Sequence, residues 1–422
     1  SFMVGKNVSF ITSDLGFGDA AKGSIVDFLC RKYNINLVVR FGGSGNCAHN
    51  VVEPSGRHHE FSQFGSGTLI PGNKTLLSRH VLVEPLALQN EEIHLQEIGI
   101  KDAYSRLFID GSCRIITPFD IIVSAIREEQ RGNNPHGSAQ SGIGERMARS
   151  FDPFSDTMYF YDFSGSVKSI KRKLEDVQSY FILNGFSNYQ DRLDIDLDKT
   201  AARYKQVFDS VGVLDTRQTN RVIKDNRAVF EGHQGVLLDE NYGFHPHTTW
   251  STTTKSNAVS LLEAADVEEK PVVLGLTRAY SHRHGAGPFP THDTYLGFLE
   301  EPHNSDFSGQ GKFRKGWLDL NLLKYAITAN GGVDYLAISH VDVLNKLEEW
   351  KICTSYANGA LVIPKDMAEQ ENNTKTLSDI KPYYNYVKSG NVVNFLQDKL
   401  DTTVVIRSFG KSANDKVMTE RF

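Results

Sequence analysis

Cysteine is scarce in this chain. The 422 residues include four, Cys30, Cys47, Cys113 and Cys353, all far apart and none in a C-x-x-C pair. Neither a disulfide framework nor a structural zinc site fits that spacing, so a reducing cytoplasmic setting is expected. No apolar run approaches the roughly 18 residues that a membrane helix needs, and no membrane span is expected. The first residues lack a basic stretch followed by an apolar core, which speaks against a secretory signal. Positive charge is not in excess either. With 46 basic against 51 acidic residues the net charge is −5, which leaves no footprint for nucleic acid or an anionic membrane. Small anionic substrates would have to be met by local basic groups. Internal repeats and low-complexity tracts are also missing. What is present, 40% hydrophobic and 23% charged residues, is the balance of a globular enzyme. Ser1 and Phe2 before Met3 read as an expression scar, leaving 3–422 as one expected domain.

Short apolar runs recur at 8–12, 37–41, 228–231, 272–277, 335–339 and 403–407, with helical patterns between them, as at 118–131 and 167–186. That alternation predicts an α/β fold, a single large domain with a mostly parallel central sheet covered on both faces. Ligands in such sheets gather beyond the strand C-termini. Polar or glycine-rich loops begin at those places here, at Gly16, Gly42, Gly232, His282, His340 and Gly410. The stretches 132–141 and 366–376 look most like linkers and are expected to be long loops inside the domain.

The first loop, S-D-L-G-F-G-D-A-A-K-G-S-I-V-D over 13–27, joins an apolar strand to a helical pattern. Its glycines allow a tight turn and a close approach to a ligand, and the helix N-terminus favours an anion, phosphate above all. Lys22 adds a mobile positive charge, and Asp19 a carboxylate that could hold a metal or take a proton. The spacing does not match G-x-x-x-x-G-K-[ST], so a purely structural turn competes with this reading. The second loop, R-F-G-G-S-G-N-C-A-H-N over 40–50, carries Asn46 and His49, and an imidazole there could exchange a proton near neutral pH. The third, F-E-G-H-Q-G-V-L-L-D over 230–239, carries Gln234, whose amide can donate and accept along a purine edge. The pairs His245/His247 and His282/His284 would each face one way on an extended segment. No acidic or cysteine partner sits at a familiar ligand spacing, which argues against zinc.

The order of these motifs is more particular than any one of them. G-D-A-A-K-G-S-I-V-D, V-V-R-F-G-G-S-G-N-C-A-H-N-V-V, H-G-S-A-Q-S-G-I-G, F-E-G-H-Q-G-V-L-L-D, A-Y-S-H-R-H-G-A-G-P-F-P-T and G-W-L-D-L together resemble the adenylosuccinate synthetase family, from about residue 8 to about residue 411. The resemblance implies a P-loop-like, GTPase-related fold and a cytoplasmic homodimer. It also implies a purine-biosynthetic ligase that joins IMP to L-aspartate with GTP and Mg²⁺ through a 6-phosphoryl intermediate. By the same resemblance, Asp19 is the base at purine N1 and a Mg²⁺ ligand, with the backbone oxygen of Ala48 as a second metal ligand. His49 is the acid at the transferring phosphoryl group, and Gln234 reads the purine edge beside O6. Gly18, Lys22, Gly23 and Ser24 would hold the triphosphate. His340 and Asp342 would meet its base, and Ser408, Gly410 and Lys411 complete that nucleotide site. Asn46, Ser138, Ala139 and Thr249 would surround IMP, with Arg149 reaching in from the neighbouring subunit. Gln310, Lys312 and Arg314 would bind aspartate.

The sequence departs from the family pattern around this set. G-D-A-A-K-G-S stands for G-D-E-G-K-G-K, S-A-Q-S-G-I-G for T-T-G-R-G-I-G, and His340 for the lysine that packs on guanine. A paralogous ligase therefore stays open, acting on another 6-oxopurine nucleotide such as dGMP or a specialised-metabolite purine, or using ATP. So does a catalytically inactive nucleotide-binding protein.

Overall fold

The strand Phe10–Asp14 is the middle of the molecule, buried along its whole length. A computed structural model describes residues 8–132, 134, 141–155, 157–301 and 313–419. In it Phe10–Asp14 pairs in parallel with Val229–Glu231 on one side and Val272–Arg278 on the other. Outward from the first neighbour run Leu37–Arg40, Lys74–Leu77, Leu107–Asp110 and Gly212–Leu214. Outward from the second run Tyr335–Ser339, Val404–Ser408 and Lys416–Met418. This ten-stranded sheet is parallel except for its last pair, Val404–Ser408 with Lys416–Met418. The chain builds outward in both directions from the central strand, so loops leaving neighbouring strands diverge there and open a crevice at the carboxyl edge.

Both faces of the sheet are covered, which is why the central strands read as apolar runs without alternation. Phe10, Val38 and Leu274 pack with Ile25, Val26 and Leu29 of the helix Lys22–Tyr33 on one face. Ile11, Val39 and Phe230 pack with Leu261 and Leu262 of the helix Ser256–Ala264 on the other. Each such side chain contributes about 1.5–3 kcal/mol by leaving water.

The expected strand at 335–339 coincides with Tyr335–Ser339, and the other five expected strands lie within about two residues of those observed. Lys74–Leu77, Leu107–Asp110 and Gly212–Leu214 were not anticipated, being only three or four residues each. The helix expected at 167–186 leaves α geometry after Phe181, where Asn184 and Gly185 have non-helical backbones. Residue 282 opens no loop. It lies in the strand Ser281–His284, which pairs antiparallel with Phe313–Gly316. The linker-like stretch at 366 is a helix, Met367–Asp379, capped by the Asp366 side chain on the Glu369 amide at 2.8 Å. Polar Gln370 and Asn373 are buried on it beside Leu377, so its inward face carries no apolar period to read. Most of 132–141 lies outside the described residues.

Arg149 is engaged within its own chain. On the helix Ile143–Phe151 it is 1% exposed, and its guanidinium grips Asp120 of the same chain in a fork, Nε to Oδ1 at 2.8 Å and Nη2 to Oδ2 at 2.9 Å. Asp120 also accepts from the Thr117 amide and hydroxyl, closing the capping box of the helix Pro118–Arg131. In this structure the guanidinium is committed within its own chain, and reaching into a neighbouring subunit would require that fork to open. Because breaking a buried pair strands the remaining charge, Arg149→Met should cost about 3–5 kcal/mol, read as a lowered thermal midpoint. An arginine serving a partner's site would instead lose activity at an unchanged midpoint.

Candidate active site

Asp14, at the end of the central strand, organises the first turn. Its Oδ1 accepts the Gly16 amide at 2.9 Å and its Oδ2 the Ala20 amide at 3.0 Å. Oδ2 also pairs with Lys22 Nζ at 2.8 Å, and the same ammonium donates to the Gln234 carbonyl at 2.7 Å. Lys22 is 3% exposed. The sequence suggested a mobile charge, whereas the structure fixes it between two loops. Asp14 was not singled out from the sequence. An aspartate ending a strand two residues before a glycine is the signal that could have found it.

The helix Lys22–Tyr33 starts from Ala21 with no side-chain cap. Its first amides are thus left for another acceptor, the arrangement that binds phosphate. The buried Ser24 hydroxyl beside them has no hydrogen-bond partner, nor has the Asn46 Oδ1. Ala21 has φ 62°, Asp19 56°, Gln234 51° and His340 60°, in the left-handed region that side chains disfavour. The other such non-glycine residues among those described are Asn34, Asp266 and Asp401, which tolerate this region better. Ala21 and Gln234, the two without that tolerance, both border one cavity of about 880 Å³, as do Asp19 and His340. Backbone strain gathered at one place is a mark of a functional site.

Gly18, Asp19, Lys22, Gly23 and Ser24 line this cavity from the first turn. Asn46, Ala48, His49 and Thr249 line it too, as do Asp342, Ser408, Gly410 and Lys411. Ser138, Ala139, Gln310 and Lys312 lie outside the described residues. Arg314 is absent from the cavity wall. Its Nη2 donates to the Gly285 and Gly287 carbonyls at 2.8 Å each, so in this structure it braces a loop. Asp239 is structural as well, accepting from the Asn241, Tyr242 and Thr253 amides.

His49 is held from behind. Its Nδ1 lies 2.6 Å from Glu231 Oε2, and the Ser66 amide donates to Glu231 Oε1 at 2.9 Å. Nδ1 is thereby committed to the carboxylate, which leaves Nε2 for the cavity. Burial pushes the Glu231 carboxyl up, but the Arg40 charge and the His49 hydrogen bond outweigh it and bring it down to about 2. Burial holds His49 below its ordinary value despite the pull of Glu231. The imidazole is therefore neutral at rest and sits beside a carboxylate that would stabilise its cation. Glu231 was missed because it reads as the last residue of an apolar strand.

On the opposite side of Asp19 stand His282 and His284, which line up on one face of Ser281–His284. Their Nε2 atoms lie 3.9 Å and 3.3 Å from Asp19 Oδ2, and His282 Nε2 is also 2.8 Å from the Gly18 carbonyl. Burial and the Arg278 charge lower His282 to about 4. Although burial works against it, the His284 hydrogen bond and the neighbouring His282 and Lys22 keep the Asp19 carboxyl well below the usual carboxylate range. The sequence showed no acidic partner for this histidine pair. The fold supplies one from the first turn, and the oxygen and nitrogen donors lie within 4.8 Å of one another. A carboxylate with two imidazoles is a donor set that fits a divalent cation.

The adenylosuccinate synthetase family model matches residues 13–413. The chain belongs to the adenylosuccinate synthetase family. An adenylosuccinate synthetase of Clostridium beijerinckii is 29% identical over 385 residues, covering 89% of this chain and 86% of the relative. That of Buchnera aphidicola is 32% identical over 362 residues, covering 83% and 81%. The fold is shared with the fully ligated adenylosuccinate synthetase of Plasmodium falciparum, at TM-score 0.82 and 18% identity over 98% of this chain and all of that one. A cyanophage S-2L succinoaminodeoxyadenylate synthetase, bound to dGMP and dATP, matches at TM-score 0.64 and 17% identity over 98% and 95%. The protein is thus a C–N ligase of the adenylosuccinate synthetase type, acting on purine nucleotides. No helix among the described residues is long and apolar enough to cross a membrane.

Two outcomes follow for this site. Glu231→Gln should lower kcat about 10²–10⁴-fold, the range for a disturbed acid–base group, with a smaller change in KM, read by steady-state kinetics. Ala21→Gly should raise stability by about 0.5–1 kcal/mol by relieving the left-handed alanine, read by thermal unfolding of the free protein.

Proposed function

We propose that the protein condenses IMP with L-aspartate to adenylosuccinate, using a nucleoside triphosphate, with GTP the expected donor. The observation that carries this reading is the meeting of Asp19, the His49–Glu231 pair and an uncapped helix N-terminus in one cavity. The 6-oxo group of the purine is a poor leaving group until it is phosphorylated. Asp19 accepts the N1 proton, which makes O6 nucleophilic towards the γ-phosphate. His49 donates through Nε2 only as the imidazolium, whose charge Glu231 stabilises from behind at Nδ1, where charge builds on the transferring group. The Gln234 amide reads the purine edge beside O6, while the Lys22–Ser24 amides and the Ser24 hydroxyl hold donor phosphates. Aspartate's amine then displaces phosphate from C6. A divalent cation, Mg²⁺ in the family resemblance, would be held by Asp19 and the Ala48 carbonyl and would neutralise phosphate charge. A homodimer belongs to the same reading and is checked by light scattering on the purified protein.

A second reading keeps the ligase chemistry and changes the nucleotides to a 2-amino-6-oxopurine with ATP. Support for its ATP half is His340, where burial and the Arg278 charge lower the imidazole to about 3. A neutral ring there cannot supply the cation that a lysine would. The enzyme, incubated with aspartate, Mg²⁺ and each pairing of IMP or dGMP with GTP or ATP, should form adenylosuccinate from IMP and GTP, seen by its absorbance. Asp19→Asn and His49→Asn should each reduce kcat by about 10²–10⁴-fold. Product from dGMP and ATP alone would favour the second reading. Nucleotide binding with no product from any pairing would sink both.

A further inference from the structure

His282 and His284 have no part in the ligase chemistry above, yet their ring nitrogens converge on its central carboxylate. They alternate along the strand Ser281–His284, so both rings leave the same face. That strand is pinned to Phe313–Gly316, and the Phe313 ring packs against His282 and His284 at centroid distances of 5.2 Å and 4.8 Å. Asp19 is fixed in turn by its left-handed backbone and by Arg278, which donates to its carbonyl at 2.9 Å. Three donors on two separately braced elements thus meet at one point. Around a small divalent ion with bonds near 2.1 Å, neighbouring ligands stand roughly 3–3.5 Å apart. The distances to Asp19 Oδ2, 3.3 Å and 3.9 Å, approach that spacing, and all three donors lie within 4.8 Å of one another, so the imidazoles would draw in around a bound ion.

We infer that Asp19, His282 and His284 form a two-histidine, one-carboxylate site that selects a divalent transition ion, of the Zn²⁺, Co²⁺ or Mn²⁺ class, over Mg²⁺. Mg²⁺ takes oxygen donors in a strict octahedron and keeps its waters, whereas imidazole nitrogen suits the transition ions. Ligation needs the His282 Nε2 lone pair, so its proton moves to Nδ1 and the contact with the Gly18 carbonyl is given up. Nδ1 is buried without a partner, so the proton placed there meets no acceptor, a cost that the metal–nitrogen bond has to outweigh. The same change frees the Gly18 oxygen. The use of such an ion in phosphoryl transfer rests on the ligase reading above. Its binding does not.

The test uses the whole protein, stripped with a chelator and without nucleotide, titrated separately with Co²⁺, Zn²⁺, Mn²⁺ and Mg²⁺ by calorimetry and, for Co²⁺, by visible absorption. Co²⁺ and Zn²⁺ should bind about 100-fold or more tightly than Mg²⁺. His282→Gln and His284→Gln should each weaken Co²⁺ about tenfold or more and alter its visible band. His284→Asp, which exchanges a nitrogen donor for an oxygen, should narrow the gap between Co²⁺ and Mg²⁺ instead of abolishing binding, an outcome that a misfolded variant would not give. Co²⁺ binding no tighter than Mg²⁺, or unchanged in both glutamine variants, would overturn the site. Intact Co²⁺ selectivity in a protein that forms no product from any nucleotide pairing would overturn the ligase reading and leave the metal site standing.

Discussion

The geometry of the cavity depends on one buried ammonium. Lys22 lies between the Asp14 carboxylate and the Gln234 carbonyl, both within 2.8 Å, in a place almost closed to solvent. A lone charge there would be costly, and the ion pair offsets the desolvation only because its geometry is good. The pair ties the turn after the central strand to the loop after Val229–Glu231. That turn carries Asp19 and the phosphate-facing helix start, and that loop carries Gln234. The distance between the groups that would take a proton, hold phosphate and read the purine is therefore fixed by this contact together with the backbone approach of the same two loops. It lies where strand order reverses in the sheet.

A chain of net charge −5 has no global field to draw in nucleotides, and the site shows what replaces one. Its positive character comes from backbone amides at an uncapped helix start, from the fixed Lys22, and from Lys346 and Lys411 on the far wall. Two of the arginines at the cavity are already engaged. Arg278 pairs with Glu301, which also accepts from Tyr280, while Arg283 stacks on Phe17 and donates to the Pro288 carbonyl. The anion site is therefore directional, made of dipoles and hydrogen-bond donors aimed at one place, and less sensitive to salt than a surface charge patch would be.

How much of this was legible depended on whether the signal was local. The buried parallel strands could be read because both faces are apolar, and the first turn because glycine, lysine and aspartate stand together in fifteen residues. Three determinants were not readable in that way. Glu231 supports His49 only because strands from distant parts of the sequence are neighbours in the sheet. His282 and His284 gain a carboxylate only when a separate hairpin folds against the first turn. Asp120 claims Arg149 through a helix–helix contact, which no spacing announces. The helix Met367–Asp379 was hidden for another reason, since amides bury its inner face where a sequence pattern looks for leucine.

Gly235 follows Gln234 directly, and a Cβ there would run into the Gly16 carbonyl and the Gly18 amide. The two loops touch backbone to backbone, with no side chain between them to be exchanged for a larger or smaller one. Evolution can adjust a wall built of side chains one residue at a time, but a contact between two backbones offers no such increments. A change of ligand preference would then have to be written elsewhere, in walls such as the one carrying His340 and Asp342, while the loop of Gln234 and the first turn keep their spacing.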